Sequence, residues 1–597
     1  MENKKNKILS AIGITALAIL IIGATYAYFA SQGDETKNVN VKVSTNTVDT
    51  LTFQNGSDIN ITADQDSFAK DKGNRTGSSF LQATLRANNK TNIASMNYYA
   101  YLLIDDNDFV YTIDENTPEL ILSVTDSTGA NISIDGLTQE TVTDAKGSQI
   151  VGYDITNSKG LITLFNNKTI EVTTSDTDNT KIERWNIKIT FVNYSEDQSK
   201  NAGKNINAKL IIQKELLPTT VADVCSSGDN LSSCVKTLSN KSYSTLTYIY
   251  HHDGTLENGL DDDSYRYAGG DYELTSLGKD IGATSIVTTN TDKSGLIETY
   301  CNAYSNSKVE YTYEYCSIDL NYMIKNDTIM YTTYKEAFDK ALEKKYIEKN
   351  QINNFVCFAY DSTDGTCPDD NLYRIVGIFG NQVKLIKYNY SKSSLLGTDG
   401  DYADEISNAG WNSISEIGRY YWNMNNANKK AEGDWGSSYL NQINLNTNYI
   451  NNIGSDWESI IATTTWKVGG DQPLFINGYG LKKGYEYELG KYSKDKTYSA
   501  KIGLLYVSDY GFAISPDKWT QNMASGYLNW IPMGENEFTV TPNTLTDYGH
   551  YGTPRAGGYG GGSGGTKAPI RPVFYLKSNI QYSSGIGTKE SPIILVK

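Results

Sequence analysis

Between Asn38 and Leu217 apolar side chains recur at every second position, and that alternation constrains the fold of this 597-residue chain more than any other feature. In "LQATLRA", Leu81, Ala83, Leu85 and Ala87 fall on one side, and Gln82, Thr84 and Arg86 on the other. "WNIKITF" repeats the pattern with Trp185, Ile187, Ile189 and Phe191, and "INAKLII" with Ile206, Ala208, Leu210 and Ile212. A period of two fits the pleat of a strand with one buried and one wet face. Asn, Asp, Gly and Ser clusters between the segments supply turns. The pattern predicts an antiparallel β-sandwich over 31–217, with further strands near 38–45, 98–104, 118–125, 149–155 and 161–174. The 45 Tyr against 15 Phe suit such half-wet sheet surfaces.

The texture changes at Pro218, and the length requires more than one core. Residues 221–238 read as a short helix, and "YKEAFDKALEKKYIEKNQ" (334–351) as an amphipathic one with Tyr334, Phe338, Ala341 and Leu342 on one face. "LYRIVGIFGNQVKLIKY" (372–388) reads as a hairpin turning at Gly380-Asn381. The stretch 436–454 reads as a helix, "KIGLLYVSDYGFAI" (501–514) and "PIRPVFYLKS" (569–578) as strands, and "RAGGYGGGSGG" (555–565) as a glycine-rich loop. Seven of the eight Trp lie between Trp411 and Trp530, so this half is expected to be α+β and Trp-rich.

The six cysteines fall into three close pairs: Cys225 and Cys234, Cys301 and Cys316, Cys357 and Cys367. No pair has the C-x-x-C spacing of zinc or redox sites, so sequential disulfides in an oxidising exterior are the expectation, although six cysteines permit fifteen connectivities. At the N-terminus the basic "MENKKNK" precedes an uncharged run from Ile8 to Ser31. Residues 1–30 therefore read as a signal peptide or an N-terminal membrane helix, and either directs the chain outside the cell or to its surface. The net charge of -16, with no Lys/Arg cluster beyond residues 1–7, argues against a nucleic-acid partner.

Chemistry-bearing motifs are sparse. Only His251, His252 and His550 occur, with no G-x-S-x-G elbow and no H-E-x-x-H helix, so no enzymatic activity is expected. Asp261, Asp262 and Asp263 offer oxygen ligands that a calcium ion could use, yet their spacing is not that of an EF-hand and an acidic turn is the plainer reading. No other cofactor is expected. Trp411, Trp435 and Arg571 are the candidate ligand contacts, since aromatic faces bind sugars and both tryptophans sit in polar surroundings; Trp466 and Trp530 read as core. The alternative function is an extracellular glycan or peptide hydrolase, with carboxylates such as Glu486, Glu488 or Asp509 in the C-terminal module. "LPTT" at 217–220 lacks a following Gly and a hydrophobic tail, and no lipobox Cys follows the apolar run, leaving the N-terminal segment as the sequence-encoded anchor.

"GATYA" followed by "YFASQGDE" and then the alternating region resembles the TasA and camelysin family of secreted matrix proteins of Gram-positive bacteria. The resemblance implies a jelly-roll-like sandwich and signal-peptidase cleavage between Ala27 and Tyr28. It also implies self-assembly into fibres by strand donation, with "VNVKVST" (39–45) as donor. Camelysins are described as metallopeptidases, but residues 31–217 contain no His, so that activity is not expected here. A second resemblance is carried by "YHHDGTLENGLDDDSYRYAGG" (250–270), "NNFVCFAYDSTDGTCPDDNLYRIVGIFGNQVKLIKY" (353–388), "IGLLYVSDYGFA" (502–513) and "RPVFYLKSNIQYSSGIGTKESPIIL" (571–595). These look like a module found in surface proteins of gut Gram-positive bacteria, whose order of elements is similar to C-type-lectin-like folds. In its usual form the "SYRY" segment runs almost directly into "VCF", so 271–352 look like an insertion between the module's start at 218–270 and its main part at 353–597. The expected protein is thus multidomain: a jelly-roll-like antiparallel β-sandwich followed by an α+β, C-type-lectin-like domain with an insertion. It would act in adhesion or an extracellular matrix, with the membrane, a glycan or surface protein, and copies of itself as partners.

Overall fold

The computed structural model describes residues 49–596 except 69–71, 89–93, 115, 240–243, 271, 275–346, 351, 363–365, 407–416, 424–434, 469–479, 494–495, 521–529, 532–536, 544–547 and 553–566. The expected cleavage site at Ala27 and Tyr28, the donor strand 39–45, Cys301, Cys316, Trp411, the glycine-rich loop and most of the 271–352 segment lie outside the described residues. Among the described residues no helix is long and apolar enough to cross a membrane. The chain separates into two compact units between Leu217 and Pro218.

Among the described residues the first unit has ten strands: β1 (Thr50–Asn55), β2 (Ile59–Thr62), β3 (Arg75–Arg86), β4 (Ala94–Asn107), β5 (Leu120–Asp126), β6 (Gln139–Thr143), β7 (Gln149–Asp154), β8 (Gly160–Val172), β9 (Thr180–Phe191) and β10 (Asn205–Gln213). They form two antiparallel sheets, ordered β1-β3-β9-β5-β7-β6 and β2-β10-β4-β8. The alternating residues of both sheets meet in one core. Leu81, Ala83 and Leu85 of β3 and Ile187 and Ile189 of β9 come from one side, and Leu102 and Ile104 of β4 and Ile206 and Ala208 of β10 from the other. The in/out pattern of the sequence is therefore the burial pattern of a sandwich, because a one-residue slip in any strand would turn its apolar set to water. Inside the core, Trp185 donates its indole N–H to the Tyr98 hydroxyl at 3.0 Å, and Tyr98 donates to Glu183 Oε2 at 2.8 Å. That chain satisfies two polar atoms that aromatic packing would otherwise strand.

The second unit centres on an antiparallel sheet. Its strands run β11 (Ile249–Asp253), β12 (Asp261–Tyr267), β16 (Leu372–Phe379), β17 (Gln382–Lys387), Val573–Tyr575 and Ile502–Gly503, and β15 (Phe355–Cys357) pairs with the first half of β16. The two-residue loop Gly380-Asn381 joins β16 to β17, with Gly380 at φ 60°, a conformation that glycine adopts without steric cost. β16 is buried along nearly its whole length, as expected of a central strand covered on both faces. Its cover includes a helical stretch, Leu440–Tyr449, in which the backbone follows the wider π pattern before an α-helical turn at Ile450–Ile453. Asn444, Asn448 and Asn452 recur on one face there, and their amides donate to the carbonyls of Leu396, Leu396 and Leu395 at 2.9, 3.0 and 2.9 Å.

Two local expectations are corrected. Residues 347–349, the end of the expected 334–351 helix, form β14 (Ile347–Lys349), which pairs with β13 (Tyr272–Leu274). The stretch 501–514 is a strand only at Ile502–Gly503; Val507–Phe512 is helical, because the Asp509 carboxylate accepts the Tyr506 backbone N–H at 2.8 Å and caps a turn that a strand could not supply. Cys225–Cys234 and Cys357–Cys367 are disulfides, with Cα atoms 5.7 and 5.8 Å apart.

Candidate functional site

The second unit carries several of its charges in an unusual place, the interior. β12 contributes Asp262, Ser264 and Arg266; β17 contributes Lys384; the helix Val507–Phe512 contributes Asp509; and the helix Leu481–Glu488 contributes Tyr485 and Glu488. Lys384 Nζ lies 2.5 Å from Asp509 Oδ2, and both side chains are wholly buried. Arg266 Nη1 stands 3.6 Å from Asp509 Oδ1, while its Nη2 donates to Asp262 Oδ2 at 2.8 Å. The Tyr485 hydroxyl donates to the same Asp262 oxygen at 2.9 Å. Glu488 accepts the backbone N–H groups of Val507 and Ser508 at 2.9 and 3.0 Å and a hydroxyl from Thr541. A second buried pair, Arg571 and Glu537, lies apart from these in the contact network and is joined by Tyr510, which donates to Glu537 Oε2 at 2.6 Å.

Burial and pairing act against each other on the two cations, Lys384 and Arg266. Burial favours the neutral amine of Lys384, but the Asp509 carboxylate outweighs it and the pKa is raised. Arg266 is likewise raised, since Asp262 and Asp509 together overcome its desolvation. Glu488 has no cation among its hydrogen-bond donors, so burial dominates and raises its pKa against the bonds from Ser508 and Thr541. His252 is held at the opposite extreme: burial, aided by the charge of Arg266, lowers its pKa to about 3. Lys387, the last residue of β17, is also buried; burial lowers its pKa to about 8, and its ammonium donates to the Asp370 carbonyl at 2.6 Å.

The residues singled out in the sequence are placed differently. Asp262 points into the lattice while Asp261 and Asp263 are exposed, and Asp263 faces His251 Nε2 at 2.7 Å. Successive strand residues face opposite ways, so one calcium ion cannot use all three carboxylates. Among the described residues no group of three His, Cys, Asp or Glu side chains converges to hold a metal ion. Trp435 is 1 % exposed, its ring centroid 5.4 Å from that of Trp422, which makes it a core residue with no face to offer a sugar. Arg571 is consumed by Glu537 in the interior. Trp466 and Trp530 are buried as expected. Glu486 faces Lys491 at 3.5 Å on the surface, whereas Glu488 is buried two residues on, so the two carboxylates do not flank a common space.

Lys384, Lys387, Arg374 and Arg266 are the buried cations that pattern reading missed, for charged residues inside a strand are ordinarily taken as its wet face. A usable signal existed: "VKLIK" places Lys384 and Lys387 three apart, so alternation cannot send both to the same face, and one at least had to be covered. No protein family, curated protein or solved structure matches this chain.

Proposed function

We propose that the chain is a secreted or cell-surface structural and adhesion protein. In this reading a matrix-type sandwich resembling that of the TasA and camelysin family precedes a lectin-like module that binds a glycan or a surface protein. The observation that carries the proposal is the pair of short-range disulfides, Cys225–Cys234 and Cys357–Cys367, in the second unit. Such bonds persist in oxidising exteriors and are rare in the cytosol. They agree with the export-type segment at residues 1–30.

The carboxylates that a hydrolase would have used favour a structural role: Asp509 is paired with Lys384, and Glu488 is bound to two backbone amides and a hydroxyl. No reaction is assigned to the chain. Calcium enters the proposal at most as a surface ligand of Asp261 or Asp263, and the segment 39–45 is the proposed donor in the self-assembly that the family resemblance implies.

The deciding experiment is isolation of the native protein with N-terminal sequencing and electron microscopy. Extracellular protein starting at Tyr28 and forming fibres is the expected result, whereas intact Met1 in membranes converts the assignment to an anchored adhesin. Recovery from the cytosol with reduced cysteines overturns it. Glycan-array binding that disappears in Trp411→Ala supports sugar recognition, and unchanged binding removes Trp411 from it.

A further inference from the structure

We propose that Lys384 and Asp509 condense into an intramolecular isopeptide bond, covalently joining β17 to the helix Val507–Phe512. The inference goes beyond the surface assignment and does not depend on it.

The geometry has four parts. First, the amine and the carboxylate are already in contact, Nζ 2.5 Å from Oδ2, across a sequence separation of 125. Second, the pair is dry: both side chains are buried, and the ring centroids of Tyr506, Tyr575, Phe379 and Trp466 lie 4.8, 5.2, 5.3 and 5.9 Å from Nζ. Among the described residues this is the one Lys–carboxylate ion pair with both members fully buried. Third, Oδ2 is fixed by the Tyr506 N–H at 2.8 Å. Fourth, among the described residues Oδ1 has no hydrogen-bond donor and Arg266 Nη1 no hydrogen-bond acceptor, and the two atoms stand 3.6 Å apart.

These parts suit a condensation. Pairing with Asp509 holds Lys384 mainly as the ammonium, and the reaction runs through the minor state, favoured by desolvation, in which one ammonium proton has passed to Oδ2 and a neutral amine stands beside a neutral acid. The amine attacks Cγ, and the negative charge that builds on Oδ1 moves toward Arg266. One Nζ–Cγ bond forms and the Cγ–Oδ2 bond breaks. Of the three ammonium protons, two leave on Oδ2 as water and one stays on the amide nitrogen. Nothing is oxidised or reduced, and no co-reactant is required. The product replaces two buried charges with a neutral amide, while Arg266 keeps Asp262 as its counter-ion. Arg571 and Glu537 cannot follow the same course, because a guanidinium holds its proton and is no nucleophile.

The test is peptide mapping by mass spectrometry of the folded full-length chain after complete reduction and alkylation. The expected result is a branched peptide containing Lys384 and Asp509, lighter than its two parts by one water. Denatured wild-type protein should also migrate faster than a Lys384→Ala variant, because the linked chain retains a closed loop. Recovery of the Lys384 and Asp509 peptides unlinked from folded wild-type protein overturns the proposal. That measurement needs no variant, so a Lys384→Ala or Asp509→Ala chain that fails to fold leaves the test intact.

Discussion

Arg571 faces Glu537 through two contacts in the interior of the second unit, Nη2 donating to Oε2 at 2.7 Å and Nε lying 2.7 Å from Oε1. Arg571 also donates to the Ile531 carbonyl at 2.7 Å. Burial would weaken the cation, but the Glu537 carboxylate overrides it and the pKa of Arg571 is raised.

Removing one member should therefore cost more than removing both. Among the described residues, Arg571→Ala leaves the buried carboxylate with Tyr510 as its one hydrogen-bond donor, and a loss of about 3–5 kcal/mol is expected. Arg571→Met combined with Glu537→Leu should recover most of that loss, since apolar side chains of similar volume replace the pair without stranding a charge. Urea denaturation of the two variants measures the difference. Equal destabilisation by both would show that the pair contributes through packing and not through charge.

His252 sets a pH dependence of definite sign. Its Nδ1 accepts the Leu260 N–H at 3.0 Å, and its ring packs 5.0 Å from Trp519 and 5.4 Å from Phe512. The folded-state pKa of about 3 lies below the ordinary value of 6.5, so the unfolded chain binds the proton first as pH falls. Stability from this group is complete above about pH 6.5 and declines toward pH 3, with a slope of at most about 1.4 kcal/mol per pH unit. The neighbouring Asp262, which burial would raise but Arg266 and its hydrogen bonds hold below the usual carboxylate range, loses its contribution only under more acid conditions. Denaturation at pH 7, 6 and 5 should show the decline in wild type and flatten it in His252→Asn, which keeps an acceptor for Leu260. An unchanged slope in that variant would assign the dependence to other groups.

Gly377 is the point where β12 docks on β16, opposite Arg266. A Cβ at this position would come within 2.4 Å of the Tyr265 carbonyl oxygen, a backbone atom that cannot rotate away. Gly377→Ala should push the strands apart and cost about 1–3 kcal/mol. It should also loosen the Arg266–Asp509 contact, so amide exchange along β12 should rise more than along β17. Equal exchange in both strands would mean that the sheet shifts as one body.

The sandwich was legible because its information is local. Leu81 to Ala87, Trp185 to Phe191 and Ile206 to Ile212 each declare their buried face by period alone, and the structure buries those faces, with Ile212 only partly covered. β1 and β6 were missed because "TLTFQN" and "QETVT" carry only two apolar residues, Leu51 and Phe53, and one, Val142, and remain mostly exposed, so each pattern is too short to read. The charge lattice was hidden for a different reason. Lys384 and Asp509 lie 125 residues apart, and neither neighbourhood contains the partner that makes its burial tolerable. Asp509 carried a misleading local signal as well: "GLLYVSDYGFA" has the composition of a strand, while a single side-chain bond to the Tyr506 N–H turns it into a helix.

The two described disulfides close loops with sequence separations of 9 and 10, anchoring elements of the second unit that have short hydrogen-bonded segments. Cys225–Cys234 ties the turn before Asn230 to the helix Leu231–Leu238, whose buried Leu231, Val235 and Leu238 join the main core. Cys357–Cys367 ties β15 to the loop leading into β16. In the chain-entropy description each loop of this size is worth roughly 2.5–3 kcal/mol. Replacing both cysteines of one pair by serine should lower unfolding stability by up to about that amount, and the two losses should add, because the pairs share no loop residues. Thermal unfolding of the single-pair and double-pair variants, at fixed pH and with dithiothreitol added to the wild type as a control, provides the measurement. A wild-type transition that dithiothreitol leaves unmoved would show that the bonds are absent from the mature protein, and with them the main support for an oxidising destination.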